Sequence, residues 1–152
     1  MSTVSTYFRP LPFPSAHQFR GDPGAQAYFM LRLGFFLLPL IFGIDKFAGV
    51  LTDDWPKYLA TFYNDILPGS GQTGMYIIGV VEIAAAFVVL FIPRFGGLLV
   101  AAWLAGIILS LLLVGGYGDV ALRDFGLLLA AISMSRLAAR YARGGSNEVN
   151  LN

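Results

Sequence analysis

Cysteine and histidine, which hold iron-sulfur clusters, haem and most zinc ions, are nearly absent from this chain of 152 residues. It contains no cysteine, which excludes disulfides, cysteine-ligated iron-sulfur clusters and thiol-based redox reactions. It contains one histidine, His17, so a haem held by two imidazoles cannot be assembled from this chain alone. The same holds for a zinc ion that needs two or three histidines. We therefore expect no cofactor bound covalently or by metal ligation.

Charged residues are also scarce, at 12% of the chain against roughly a quarter in soluble domains. Ten Lys and Arg against nine Asp and Glu leave a net charge of +1, so the chain has no basic excess for a nucleic-acid backbone. Hydrophobic residues instead make up 57% of the sequence. This composition excludes an ordinary soluble domain and predicts no nucleic-acid partner.

Four apolar runs are long enough to cross a bilayer, which takes about 20 helical residues. They lie at residues 27–51, 74–92, 95–114 and 120–139. The connections at residues 93–94 and 115–119 are short, and short connections make neighbouring helices antiparallel. The sequence predicts an all-α fold, a four-transmembrane-helix antiparallel bundle over residues 27–143. A proline-rich and aromatic N-terminal arm precedes it at 1–26, and a polar tail follows at 144–152.

Charges outside the apolar runs are unevenly distributed between the two sides of such a bundle. One side would carry six arginines: Arg9, Arg20, Arg94, Arg136, Arg140 and Arg143. The other side would carry the loop at residues 52–73, which has one positive charge, Lys57, and three negative ones, Asp53, Asp54 and Asp65. The positive-inside rule then predicts that both termini are cytoplasmic, in a bacterial-type inner membrane.

Several charged residues lie inside the apolar runs or at their mouths. A charge in the hydrocarbon region costs several kcal/mol, so such residues usually face the bundle interior and have partners. We expect a buried polar cluster made of Arg32, Asp45, Lys46, Glu82, Asp119, Arg123 and Asp124.

Glu82 is the most deeply placed of these residues, close to the midplane of the second run. Arg32 approaches the midplane from the opposite end of the preceding run, so we predict an ion pair between Arg32 and Glu82. A Glu82 without a cationic partner would instead keep its proton, which suits a proton relay or a contact with a quinone head.

The other charged residues have partners at suitable positions. Asp119 and Arg123 are four residues apart, a spacing that allows an ion pair along one helix. Across the spans we predict two further pairs, Lys46 with Asp124 and Asp45 with Arg123.

Three segments carry a family resemblance: residues 31–47 (LRLGFFLLPLIFGIDKF), 79–87 (GVVEIAAAF) and 119–131 (DVALRDFGLLLAA). They resemble the DoxX-like family of small four-helix integral membrane proteins. The positions that match the family pattern are Arg32, Gly34, Gly43, Lys46 and Glu82, with Arg123 and Asp124 at the charged start of the last span. The family's name comes from a subunit associated with a terminal quinol oxidase, so the resemblance implies a link to membrane redox systems.

Three functions follow from these observations. The first is a noncatalytic accessory or assembly subunit of a larger, quinone-linked electron-transfer complex, with other membrane subunits and lipids as partners. The second is a quinone-binding oxidoreductase component, in which Arg32 and Glu82 hold the head and Tyr76 or Trp103 stacks on the ring. The third is a proton-coupled small transporter. The first is favoured because the chain has few residues that could hold a redox cofactor.

Overall fold

Helices account for nearly all of the chain that can be described. The structure is a computed structural model that describes residues 8, 13, 16–52 and 71–148, with 16–18 and 142–148 as backbone alone. The helices are α1 (Ala16–Gly21), α2 (Pro23–Ala48), α3 (Gly71–Phe91), α4 (Pro93–Val114) and α5 (Gly118–Glu148). Within these residues there is no β-strand, and the predicted all-α fold is confirmed.

Three of the helices are long and apolar enough to cross a membrane. They are α2 with 26 residues, α3 with 21 and α4 with 22, and together they indicate a multi-pass membrane protein. Helix α5 is longer, at 31 residues, and more polar. Its charged residues include Asp119, Arg123 and Asp124 near its start and Arg136 and Arg140 further along.

Helix α2 has a capping residue at each end. At its start Asp22 is extended, and its carboxylate accepts a hydrogen bond of 2.8 Å from the Gly24 amide. Pro23 follows at the first helical position, where a missing N–H is tolerated. At its end Gly49 adopts the left-handed conformation, with φ 62°, that glycine accommodates without steric strain.

Short connections join α3 to α4 and α4 to α5. Ile92 alone separates α3 from α4, so residues 93 and 94, predicted as the connection, are the first buried turn of α4 instead. Proline is compatible with a helix start because its φ is already helical. The second connection, residues 115–117, contains Gly115 and Gly116, both with φ 79°.

The boundaries of the predicted segments differ from the structure mainly at the two ends of the chain. The predicted arm, residues 1–26, contains α1 and the first turn of α2. Helix α5 continues to Glu148, so the first residues of the predicted tail at 144–152 are helical. The acidic loop, including Asp53, Asp54, Lys57 and Asp65, lies outside the described residues.

The helices pack as two antiparallel pairs. Helix α2 packs extensively on α3, and α4 packs extensively on α5, whereas contacts between the two pairs are fewer. We call the end of the bundle where α2 and α4 begin the arm end. The opposite end, where α2 and α4 finish, is the loop end.

The hydrophobic core joins the two pairs towards the arm end. Its buried members come from α2 to α5 and are Tyr28, Phe35, Val89, Val100, Ala101, Leu104, Ala131, Met134 and Ala138. Towards the loop end no comparable cluster connects the pairs within the described residues, and a cleft separates them.

Candidate functional site

The site begins with a close approach of α2 and α3 at two glycines. A Cβ at Gly43 would stand 2.8 Å from the Gly79 carbonyl oxygen, and a Cβ at Gly79 would stand 2.9 Å from the Gly43 carbonyl oxygen. Side chains at either position would therefore push the backbones apart. The contact also leaves room beside Gly79 for Lys46, whose Cβ lies 3.2 Å from that ideal Cβ position.

A buried ion pair lies next to this contact. The Lys46 ammonium donates to the Glu82 carboxylate at 2.7 Å, and their side chains are only 4% and 11% exposed. Lys46 and Glu82 each follow a contacting glycine by three residues, so all four lie on facing sides of α2 and α3. Removing Lys46 would leave the Glu82 carboxylate buried without its cationic partner.

Asp45, the neighbour of Lys46, stabilises the end of α2. Its carboxylate accepts hydrogen bonds of 2.8 Å from the amides of Val50 and Leu51, two donors that follow the helix. Asp45 is 4% exposed. This is a side-chain cap of the loop-end turn, and the predicted Asp45–Arg123 pair is wrong.

The cleft between the helix pairs has a volume of 490 Å³. This is within the range of small-molecule sites, roughly 300–1,000 Å³. The lining comes from all four long helices and is largely apolar: Phe35, Leu38, Pro39, Phe42, Leu51, Thr52, Ala85, Val100, Leu104, Ile107, Leu111, Val120 and Leu127, with the polar Lys46, Glu82, Trp103, Arg123 and Asp124. The cleft reaches the surface, because Leu51 and Arg123 are exposed.

Trp103 and Asp124 are two further polar residues of the cleft. The indole N–H of Trp103 lies beside the Glu82 carboxylate, and its nitrogen is inaccessible to water. Asp124 is half-buried, and no hydrogen bond or ion pair with a described residue involves it. The predicted Lys46–Asp124 pair is therefore wrong, since Lys46 binds Glu82 instead.

Arg32 is buried but lies outside the cleft, so the predicted Arg32–Glu82 pair is also wrong. Its Nε and Nη2 both donate to the Leu90 carbonyl, with the Nε contact at 3.2 Å. Leu90 is in the last turn of α3, where carbonyls lack helical donors. Arg32 thus caps α3 from the neighbouring helix, and a cation is electrostatically favourable at a helix C-terminus.

The remaining predicted site residues lie nearer the surface. Arg123 and Asp119 form the predicted ion pair along α5, at 3.3 Å, but their side chains are 76% and 66% exposed. Tyr76 stacks on Phe47 with ring centroids 5.1 Å apart, and it does not line the cleft. Of the predicted residues, the structure brings Lys46, Glu82, Trp103, Arg123 and Asp124 together around the cleft.

Two contacts at the arm end were not predicted. Ser135 donates to the Arg94 carbonyl at 2.7 Å, and joins α5 to the start of α4. Tyr141 donates to the Asp22 carboxylate at 2.9 Å and stacks on Tyr28 with a centroid distance of 5.2 Å. The sequence contained one usable signal, because Asp22 before Pro23 is a typical helix N-cap. Its distant partner has no sequence signature.

The contact between Asp22 and Tyr141, which we call the Asp22 junction, shifts the pKa values of both groups. The Tyr141 hydroxyl, and then the Gly24 amide, lower the pKa of Asp22 by stabilising its ionised form. Burial, and then the hydrogen bond to the Asp22 carboxylate, raise the pKa of Tyr141. Asp22 is therefore the acceptor and Tyr141 the donor at neutral pH.

Comparisons with known proteins leave the family open, because no family model, curated protein or solved structure matches the chain. Among the described residues no group of three or more His, Cys, Asp or Glu could hold a metal ion. The arrangement described above can donate and accept hydrogen bonds inside an apolar cleft.

Proposed function

We propose that this chain is a noncatalytic accessory subunit of a larger membrane complex. In this proposal α5 is the fourth membrane span, and both termini lie on the cytoplasmic side of a bacterial-type inner membrane. Arg20, Arg136 and Arg140 support that orientation because they lie towards the arm end. The resemblance to the DoxX-like family supports a quinone-linked electron-transfer complex as the assembly.

The observation that most supports the proposal is an exposed surface of small residues on α4. Ala102 and Ala105 are exposed in the middle of this surface, between the exposed Leu98 and Leu109. Gly106 lies at its edge, where an added Cβ would meet no atom within 4 Å. Small residues on a membrane helix allow a second helix to approach closely. We therefore place the partner subunit against this face.

Purification from native membranes tests the proposal. In mild detergent the full chain should migrate on a native gel together with other subunits, and the complex should reduce or oxidise an added quinone. The double substitution Ala102→Leu and Gly106→Leu should release the chain as a smaller species, because two larger side chains fill the contact. Ala84→Leu, at an exposed alanine of α3, is the matched control and should leave the complex intact.

The proposal fails if the unmodified chain runs as a lone monomer and crosslinking in native membranes recovers no partner. It also fails if Ala84→Leu and the α4 double substitution have the same effect, since the α4 face would then have no special role.

The cleft favours a second candidate, a quinone-binding component of the same kind of complex. Glu82 and Trp103 are two of its predicted contacts and they line the cleft, whereas Arg32 and Tyr76 do not. Lys46 replaces Arg32 as the cation beside Glu82. Proton-coupled transport ranks third, because Glu82 has a cationic partner at 2.7 Å.

A further inference from the structure

We propose that one face of α5 binds an anionic phospholipid, with the phosphate at two arginines and an acyl chain along the apolar residues that precede them. We call this face the lipid strip, and it consists of Phe125, Leu129, Ile132, Arg136 and Arg140. The inference rests on the proposed placement of α5 as a membrane span, but it does not depend on membership of a complex.

The residues of the lipid strip share one side of α5. They follow one another at steps of three or four residues, which is the spacing of neighbours on a helix surface. Phe125, Leu129 and Ile132 are 50%, 49% and 38% exposed, so the neighbouring helices leave them open. Arg136 and Arg140 are exposed as well. An apolar stretch that ends in two cations matches a phospholipid, in which acyl chains end in an anionic head.

The positive charge of this region is only partly balanced. No hydrogen bond or ion pair with a described residue involves Arg136, and Arg140 lies 3.7 Å from the Asp22 carboxylate with its side chain 68% exposed. Arg20 precedes Asp22 by two residues and is also exposed, so it brings a third cation to the Asp22 junction. Three cations and one carboxylate give a net charge of +2. A guanidinium binds a phosphate with two parallel hydrogen bonds, which favours this group as the counter-ion.

A phospholipid accounts for both halves of the lipid strip. A soluble phosphate ion would leave Phe125, Leu129 and Ile132 uncovered, and a neutral lipid would leave the arginines without a net counter-charge. Juxtamembrane arginines are attracted to the anionic lipids of the cytoplasmic leaflet. The arm end, where these arginines lie, is the end that the proposed orientation places on the cytoplasmic side.

The experiment places a single tryptophan on the lipid strip. The chain has two tryptophans, so Trp55→Phe with Trp103→Phe gives a background without indole emission. In this background Leu129→Trp reports on the strip. Phe87→Trp is the matched control, at an exposed position of α3, a helix that contains no arginine. Each full chain is reconstituted in phosphatidylcholine with a varied fraction of lipid brominated on its acyl chains, either phosphatidylglycerol or phosphatidylcholine.

Bromine quenches indole emission only at close range, so quenching reports which lipid lies beside each tryptophan. At Leu129→Trp, brominated phosphatidylglycerol should reach half-maximal quenching at about a fivefold lower fraction than brominated phosphatidylcholine. This is the preference expected from one cation near an anionic head. At Phe87→Trp the two lipids should quench equally.

Charge variants connect the preference to the head of the lipid. Arg136→Gln with Arg140→Gln should remove it, whereas lysine at both positions should retain most of it because the charge is kept. Arg123→Gln is the matched control, since it removes an exposed arginine at the other end of α5, and it should change nothing. Asp22→Asn keeps a helix cap and an acceptor for Tyr141 but removes the charge beside Arg140, so it should strengthen the preference.

Circular dichroism checks that the background without tryptophan keeps its helices. If it does not, spin-labelled phosphatidylglycerol and phosphatidylcholine are compared with both native tryptophans in place. A larger fraction of the phosphatidylglycerol label should then be immobilised by the chain, and the double glutamine variant should abolish the difference.

Three results would overturn the inference. Equal quenching by the two lipids at Leu129→Trp would show that the head is not selected, and would leave the proposed function intact. Absence of quenching by either lipid would place the strip outside the bilayer or beneath a protein, and would contradict the proposed fourth span as well. A loss in Arg123→Gln as large as in the double glutamine variant would show that the preference reflects overall charge and not this face.

Discussion

Buried and partly buried polar groups have different partners at the two ends of the bundle. At the arm end Arg32 donates to the Leu90 carbonyl, Ser135 to the Arg94 carbonyl and Tyr141 to the Asp22 carboxylate. Each of these contacts joins separate helices, and the core closes around them. At the loop end Lys46 and Glu82 join α2 to α3, whereas Asp124 borders the cleft without a partner among the described residues.

The comparison shows where polar contacts join the two helix pairs and where the pairs are separated by open space. Each helix pair contains one close backbone contact, which is Gly43 with Gly79 towards the loop end of one pair and Gly97 with Ser135 towards the arm end of the other. The difference lies between the pairs. At the arm end they share a core, whereas at the loop end they separate and leave 490 Å³ between them.

The largest effect is expected from breaking the buried ion pair. Glu82→Leu removes the carboxylate that the buried Lys46 ammonium binds and should lower the free energy of unfolding by about 3–5 kcal/mol. SDS-induced unfolding in mixed micelles, followed by circular dichroism, measures the change. Asp119→Leu is the matched control, because it breaks an ion pair that is exposed, and it should lower that free energy by less than about 1 kcal/mol.

The double substitution Lys46→Met and Glu82→Met tests whether the loss of stability comes from the unbalanced buried charge. It should recover most of the lost stability, because a buried ion pair is often replaced by apolar residues at little cost. Equal losses of stability for Glu82→Leu and Asp119→Leu would contradict the conclusion that the buried Lys46–Glu82 ion pair stabilises the bundle.

A smaller effect is expected from adding a large side chain at each end, because the two ends differ in the free space around their side chains. Ala131 is 0% exposed in the arm-end core, so Ala131→Phe forces side chains apart and should lower the free energy of unfolding by about 3 kcal/mol. Ala85 borders the cleft, so Ala85→Phe has space and should change it by less than about 1 kcal/mol. The same unfolding assay compares them. Similar losses for the two variants would mean that the loop end is as closely packed as the core.

The smallest effect concerns the Asp22 junction at the arm end. Folding lowers the pKa of Asp22 below its ordinary value of 3.8, so its ionised form stabilises the fold above that pH. This contribution is lost as the pH falls through the lowered pKa. Tyr141→Phe removes the largest cause of the shift, so the pKa of Asp22 should rise towards its ordinary value. The titration is followed by NMR of the Asp22 carboxyl carbon.

Arg140→Met is the control for this junction. Arg140 lies 3.7 Å from the Asp22 carboxylate, but its charge contributes less than the Tyr141 and Gly24 hydrogen bonds do. It should therefore raise the pKa of Asp22 less than Tyr141→Phe does. The reverse order would show that charge, and not the hydrogen bond, controls this carboxylate.

Much of the fold could be predicted from local sequence patterns. The long apolar runs predicted helices whose observed bounds differ by only a few residues in α3 and α4, because length and hydropathy are properties of each segment alone. Partners within one helix were also predictable, as the Asp119–Arg123 pair shows. Partners on different helices were predicted poorly, because depth along a span does not determine which face of a helix meets its neighbour.

Glu82 shows where that reasoning failed. Its depth suggested Arg32, but the contact between Gly43 and Gly79 rotates α2 and α3 so that Lys46 faces it instead. Arg32 then lies near the end of α3, where the Leu90 carbonyl needs a donor. Both glycines can be read from the sequence, but no local pattern predicts that Gly43 and Gly79 contact each other.

The amino-acid sequence by itself determined that this chain is helical, apolar enough for a membrane and poor in cofactor ligands, because these are sums over residue types and local periodicity. Only the tertiary structure decided which buried charges neutralise each other and where the helix pairs separate. Those outcomes depend on helix rotation and on close contacts between residues far apart in the chain, and such contacts form only when the whole bundle packs.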